Sequence, residues 1–139
     1  MQPSSFLALD VGDKRIGVAL ASAQTRLPHP LTTLDNNEHI MSHLRALITE
    51  HQVVAMVVGL PRGLDGQHTA QTRVVELFGQ ELKKHIDLPF YWQDEAGTSR
   101  LAEEELTARG KSFDKRDIDA LAATYILDDF LQTNPGLAT

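Results

Sequence analysis

The sequence predicts an α/β domain whose centre is a five-stranded mixed sheet with helices on both faces. Three features carry that prediction. Short apolar runs separated by tight polar breaks fill the first third of the chain, as in antiparallel strands. Helical periodicity then alternates with apolar runs, as in parallel βα units. One of those runs, Val53 to Val58, is apolar at every position, which marks a strand buried on both faces.

In chain order, Phe6 to Leu9 is the first strand, ending in Asp10. The turn Gly12-Asp13-Lys14-Arg15 leads to a second strand, Ile16 to Ala21, so the two form a hairpin. Pro28-His29-Pro30 breaks the chain before a third, edge strand from Leu31 to Leu34. Asp35-Asn36-Asn37 starts a helix that runs to about His51, with Ile40, Leu44, Leu47 and Ile48 on one face. After the buried strand, Gly59 to Gly66 reads as a glycine-rich loop before a helix from about Thr69 to His85, with Val74, Val75, Phe78 and Leu82 as its core stripe. Pro89 to Gln93 is the fifth strand and ends in Asp94-Glu95. A helix from Thr98 to Arg109 stops at Gly110, and a basic loop precedes the last helix, Asp117 to Leu131. The order β-β-β-α-β-α-β-α-α is compatible with a ribonuclease-H-like fold.

At 139 residues the chain has the size of one domain spanning residues 1–139. It contains no cysteine, so disulfide frameworks and thiolate metal sites are excluded. Neither a signal peptide nor a membrane span is readable, and a cytoplasmic protein is expected. The net charge of −6 argues against coating nucleic acid through a broadly basic surface. It is compatible with a nuclease whose own site is acidic.

The chemistry-bearing pattern is the placement of acids. Asp10 ends the first strand, Asp94 and Glu95 end the fifth, and Asp117 and Asp119 open the last helix. Groups at the ends of neighbouring parallel strands converge on one crevice. Three such carboxylates could hold two divalent ions about 4 Å apart for in-line phosphodiester hydrolysis. Hard oxygen ligands imply Mg²⁺ or Mn²⁺. Helical spacing aligns Asp119 with Ala123, Ile126 and Phe130, so it points toward the sheet, whereas Asp117 is the expected cap. Strand alternation puts Asp94 and Glu95 on opposite faces and does not choose between them.

Basic residues near these acids are candidate nucleic-acid contacts: Lys14 and Arg15 in the first turn, Arg62 and Arg73 around the glycine-rich loop, and Lys111, Lys115 and Arg116 before the last helix. His39 and His43 have metal-compatible spacing without a partner motif and read as exposed helix residues. Tyr91 and Trp92 read as core, and Glu103 to Glu105 as a solvated helix face.

Several segments resemble the YqgF/RuvX family, ribonuclease-H-like proteins related to RuvC-type Holliday-junction resolvases and treated as candidate nucleases of pre-16S rRNA. They are LALDVGDKRIGVALA, VVGLPRGLDGQHTAQTRVVELFGQEL, the Asp-Glu after the fifth strand, and IDALAATYIL, which together span nearly the whole chain. The resemblance implies that Asp10, Glu95 and Asp119 are the three acidic positions, acting as catalytic metal ligands. It implies structured nucleic acid as the partner, either pre-rRNA at its 5′ end or branched DNA, with the protein a monomer or weak homodimer away from membranes. The family continues its Asp-Glu with Arg-Leu-Ser-Thr, whereas Ala96-Gly97-Thr98-Ser99 follow here, so an arginine able to contact phosphate is missing. Thr98 and Ser99 keep hydroxyls suited to capping the helix.

Two other classes compete. A phosphotransfer domain would share the Asp-x-Gly hairpin, but would need a second domain and a second such loop, and Asp65-Gly66 lacks the strand context. A non-catalytic RNA-binding factor would keep the fold without turnover.

Overall fold

A computed structural model of the chain describes residues 4–62 and 66–137. Nine elements follow the expected order: β1 (Ser5–Val11), β2 (Arg15–Ser22), β3 (His29–Asp35), α1 (Ile40–Glu50), β4 (Val53–Pro61), α2 (Ala70–His85), β5 (Phe90–Glu95), α3 (Thr98–Arg109) and α4 (Lys115–Thr133). The strands lie in the order β3-β2-β1-β4-β5. β1 pairs antiparallel with β2 and β2 with β3, while β4 runs parallel to both β1 and β5. β3 is therefore an edge strand, as expected, and the all-apolar run of β4 occupies an interior position.

Boundaries moved where pairing continued past a polar residue. Asp10 lies inside β1, opposite Gly17, because the antiparallel ladder runs on to Val11 and Ile16. Gly59, Leu60 and Pro61 belong to β4 rather than to a loop, since they pair with Gln93, Asp94 and Glu95 of β5. Asp35 ends β3, and α1 starts only at Ile40, after Asn37 Oδ1 accepts the His39 amide at 2.9 Å.

The sheet's two faces differ in side-chain size. Leu7, Leu9, Ile16, Val18, Met56 and Val58 meet Leu44 of α1 and Val75 and Leu82 of α2 on one face. The other face is lined by Ala8, Ala19, Ala21 and Ala55 and covered by Ala123, Ile126, Leu127 and Phe130 of α4. Strand alternation explains the segregation. Small residues let a helix backbone approach closely. A Cβ on Gly17 would lie 1.9 Å from the main-chain oxygen of Asp119, so α4 rests directly on the strand there.

Both ends of α4 are held to the sheet. Asp114 is its N-cap and forms a reciprocal capping box with Asp117, so the cap expected at Asp117 sits three residues earlier and Asp117 is the box partner. Thr33 Oγ1 donates to Arg116 O at 2.7 Å, tying the first turn to β3. At the other end Arg26, with a left-handed φ of 56°, donates to the carbonyls of Leu131, Asn134 and Leu137. Of these, Leu131 O is among the carbonyls that a helix C-terminus leaves without intrahelical partners.

Two expected faces are revised. Val74 is 44% exposed, and α2 is anchored instead by Val75, Gly79 and Leu82. Glu105 is half-exposed rather than fully solvated, and the Tyr125 hydroxyl and Arg109 both donate to it. Burial and that bond to Glu105 push the Tyr125 hydroxyl up to about 12. Tyr91 and Trp92 pack as expected, Tyr91 beside Phe130 and Trp92 beside Phe90 and under Gly79. Among the described residues no helix is long and apolar enough to cross a membrane.

Candidate active site

A cavity of about 220 Å³ opens at the ends of β1, β4 and β5, lined by Asp10, Gly12, Pro61, Gln71, Glu95 and Asp119 among others. Three separate elements deliver the carboxylates. Asp10 is on β1 with its side chain on the α4 face, the parity it shares with Phe6 and Ala8. Glu95 is the last residue of β5, and its Cγ lies 3.3 Å from where a Cβ on Gly59 would stand. Asp119 arrives from the second turn of α4, seated by the close approach to Gly17. Because Gly17 is also the sheet partner of Asp10, one glycine brings the two aspartates together.

The open choice at the end of β5 is resolved by facing. Glu95 lines the cavity, whereas Asp94 is exposed and accepts from Arg62 Nε at 3.4 Å. Glu95 also borders an adjoining hollow of about 380 Å³ with Asp94, Tyr125 and Asp128. Of the two, only the smaller cavity receives a carboxylate from each of β1, β5 and α4 among the described residues.

The electrostatics of the cluster are unbalanced at Asp10. Burial, then the charges of Glu95 and Asp119, push its carboxyl up to about 7. Asp10 makes no side-chain hydrogen bond among the described residues, in contrast to its two neighbours. Arg15 Nε donates to Asp119 Oδ2 at 2.6 Å. The buried Thr98 hydroxyl donates to Glu95 Oε2 at 2.5 Å, so it braces a carboxylate rather than capping α3, whose N-cap is Gly97 in the left-handed region. These tethers hold the acids around a common cavity without drawing them into a coordination shell. Among the described residues no three Asp, Glu or His side chains are gathered closely enough to hold an ion.

The donor set nevertheless fits a hard divalent cation. It offers carboxylate oxygens from three elements, with the Gln71 amide and Ser99 hydroxyl beside them, and burial and the neighbouring acids destabilise Asp10 as an anion. His39 and His43 are exposed, with ring centroids 6.3 Å apart.

The basic candidates separate into three kinds. Arg15 is drawn into the carboxylate cluster. Arg62 and Arg116 are engaged elsewhere, Arg62 with Asp94 and Arg116 with Asp35 at 2.9 Å and with the Thr33 carbonyl. Lys14, Arg73, Lys111 and Lys115 are exposed. Gly63, Leu64 and Asp65, in the middle of the expected glycine-rich loop, lie outside the described residues.

Sequence reasoning did not single out Gly17 or Gln71, and it gave Thr98 the wrong task. A glycine inside a strand often marks a close backbone approach, and that signal was present at Gly17. Gln71 lines the cavity from the first turn of α2, its Nε2 donating to Val11 O at 3.5 Å. Nothing local distinguishes it from any other helix glutamine.

The architecture and the acidic crevice together define a ribonuclease-H-like α/β protein. RuvC of T. thermophilus, solved in complex with a Holliday junction substrate, superposes with a TM-score of 0.57 at 12% identity, covering 96% of each chain. The free T. thermophilus RuvC structure gives 0.51 at 14% identity, over 94% of this chain and 96% of that one. At the level of sequence, residues 4–133 match the model of the RuvX family, described as Holliday junction resolvase, and the chain belongs to that family. Among its relatives, a candidate pre-16S rRNA nuclease of Roseiflexus sp. (strain RS-1) is 38% identical over 136 residues, covering 95% of this chain and 96% of the relative. A protein of the same description from Sulfurihydrogenibium sp. (strain YO3AOP1) is 37% identical over 130 residues, covering 92% and 90%.

Proposed function

We propose that this chain is a metal-dependent endonuclease that hydrolyses phosphodiester bonds in structured nucleic acid, acting in maturation of the pre-16S rRNA 5′ end. The observation that carries this reading is the convergence of Asp10, Glu95 and Asp119 on one cavity, with Asp10 unpaired among the described residues and pushed up to about 7. Relatives described as candidate pre-16S rRNA nucleases support the choice of substrate.

Asp10, Glu95 and Asp119 would hold the divalent cations, Mg²⁺ or Mn²⁺. When bound, such ions supply Lewis acidity toward the phosphate and lower the pKa of attacking water. The chain's own residues prepare that site. Thr98 fixes one Glu95 oxygen and Arg15 fixes one Asp119 oxygen, while Asp10, with no side-chain partner among the described residues, is the ligand most in need of a cation. The exposed Lys14, Arg73, Lys111 and Lys115 are the candidate contacts for flanking phosphates, and a cytoplasmic monomer or weak homodimer suits an rRNA substrate.

Resolution of branched DNA is the second reading, favoured by the family's description as Holliday junction resolvase. One experiment separates the readings: cleavage of a pre-16S 5′ fragment and of a four-way DNA junction, with Mn²⁺ or Mg²⁺, by wild type and Asp10→Asn. Cleavage of the RNA that falls about 10³-fold in the mutant, several kcal/mol of barrier, supports the proposal. Cleavage of the junction alone selects the second reading. Metal-independent binding with no cleavage by either protein would leave a non-catalytic RNA-binding factor.

A further inference from the structure

Anionic substrate must approach a cavity that already holds three carboxylates, and among the described residues lining that cavity there is no lysine or arginine. The position after Glu95 offers no help, being Ala96, and Arg100 is turned away to Glu104 at 2.9 Å. Arg62 and Arg116 are occupied by Asp94 and Asp35. The cation that does reach the cluster is Arg15, from the first position of β2.

Its mode of attachment is informative. Arg15 bonds Asp119 through Nε, and neither terminal amino group makes a hydrogen bond among the described residues. Arg–carboxylate pairs are frequently bidentate, and this one uses a single donor. Here one edge donor is used, and the paired NH₂ groups remain for a second planar or tetrahedral anion. The pair is only partly exposed, with 28% of the Arg15 side chain and 19% of Asp119 accessible, so the fork is held in place rather than sampled by a loose surface chain.

We propose that Arg15 is a substrate-binding residue of the site: its Nε stays on Asp119 while its two terminal amino groups take the non-bridging oxygens of a substrate phosphate. This rests on the nuclease reading above and deepens it. Arg15 couples the two, so the side chain that grips the phosphate also orients one of the acids, and a charge missing after Glu95 is supplied from a strand remote in sequence.

The test uses binding without turnover. In an Asp10→Asn background, affinity for a fluorescein-labelled RNA hairpin with a single-stranded 5′ extension, and for a four-way DNA junction, is measured across KCl concentrations. Adding Arg15→Gln should weaken binding roughly tenfold and reduce the log–log salt slope by about one phosphate contact, 0.7 to 0.9. Arg15→Lys should restore the slope but not the rate. In otherwise wild-type protein both variants should lose roughly 10²- to 10³-fold in kcat/KM, as when a fixed transition-state donor is removed. An unchanged slope in Arg15→Gln, whether or not thermal stability falls, would overturn the proposal and leave Arg15 a structural ion-pair partner. Full activity in Arg15→Lys would likewise overturn the claim that the fork is used. Failure of the nuclease reading looks different, because Asp10→Asn and wild type would then cleave alike or not at all.

Discussion

The two faces of the sheet are built from the same five strands yet do different work. On the α1/α2 face, Leu7, Leu9, Val18 and Val58 pack with large aliphatic side chains of both helices. On the α4 face Phe6 and Val57 stand among alanines and two glycines, and a helix backbone touches the sheet at Gly17. The first face gains stability from volume. The second places functional groups, because a helix resting on backbone has nowhere to slide. The carboxylate cavity lies at the end of the second face.

The largest effect should come from filling that contact. Gly17→Ala puts a methyl 1.9 Å from Asp119 O, where only main chain could yield. We expect destabilisation of about 3 kcal/mol or more in chemical denaturation, with cleavage lost even in the fraction that folds. A variant that melts and cleaves like wild type would show that α4 is not positioned by this contact.

Next comes the charge stored at Asp10. Its folded pKa of about 7 lies above the ordinary carboxyl value of 3.8, so between those pH values the native state holds a proton the unfolded state has released. Stability contributed by that proton is present at low pH and is lost as pH rises through about 7. In EDTA, Asp10→Asn should therefore be more stable than wild type at pH 8, by roughly 2–4 kcal/mol, and equal to it near pH 4. Parallel stability curves across that range would argue that neither burial nor the neighbouring acids raise the Asp10 carboxyl.

Smaller again is the brace on Glu95. Thr98→Val keeps the shape of a buried side chain but removes the hydroxyl that donates to Glu95. A loss of about 1–3 kcal/mol is expected from thermal melts, with Mn²⁺ affinity reduced and Thr98→Ser restoring both. The control lies on the opposite face. Leu9→Met, buried among large neighbours, should cost less than about 1.5 kcal/mol and leave the cleavage rate within roughly twofold. A large catalytic defect there would erase the distinction between the faces.

Much of the fold was legible because its signals are local. The all-apolar β4, the hairpin at Gly12 to Arg15, the αL glycine that ends α3 and the inward aspartate of α4 are each written within a few residues. Errors came where a local signal met a longer ladder. Gly59 to Pro61 looked like a loop because of its glycine and proline, yet pairing with β5 extends β4 through them. Asp114, not Asp117, caps α4, since both residues suit a helix start and the capping box uses the pair.

The sequence by itself determined the order of the elements, the mixed sheet and the arrival of acids at strand ends and at the start of α4, because periodicity and turn chemistry act over one or two turns of chain. Strand alternation left Asp94 and Glu95 open, and the tertiary structure puts Glu95 rather than Asp94 at the cavity, since their faces depend on the neighbours of β5. It alone brought Arg15 to Asp119, 104 residues away, and set α4 against Gly17. Those contacts depend on how closely two remote backbones approach, and that distance is set by the side chains absent between them.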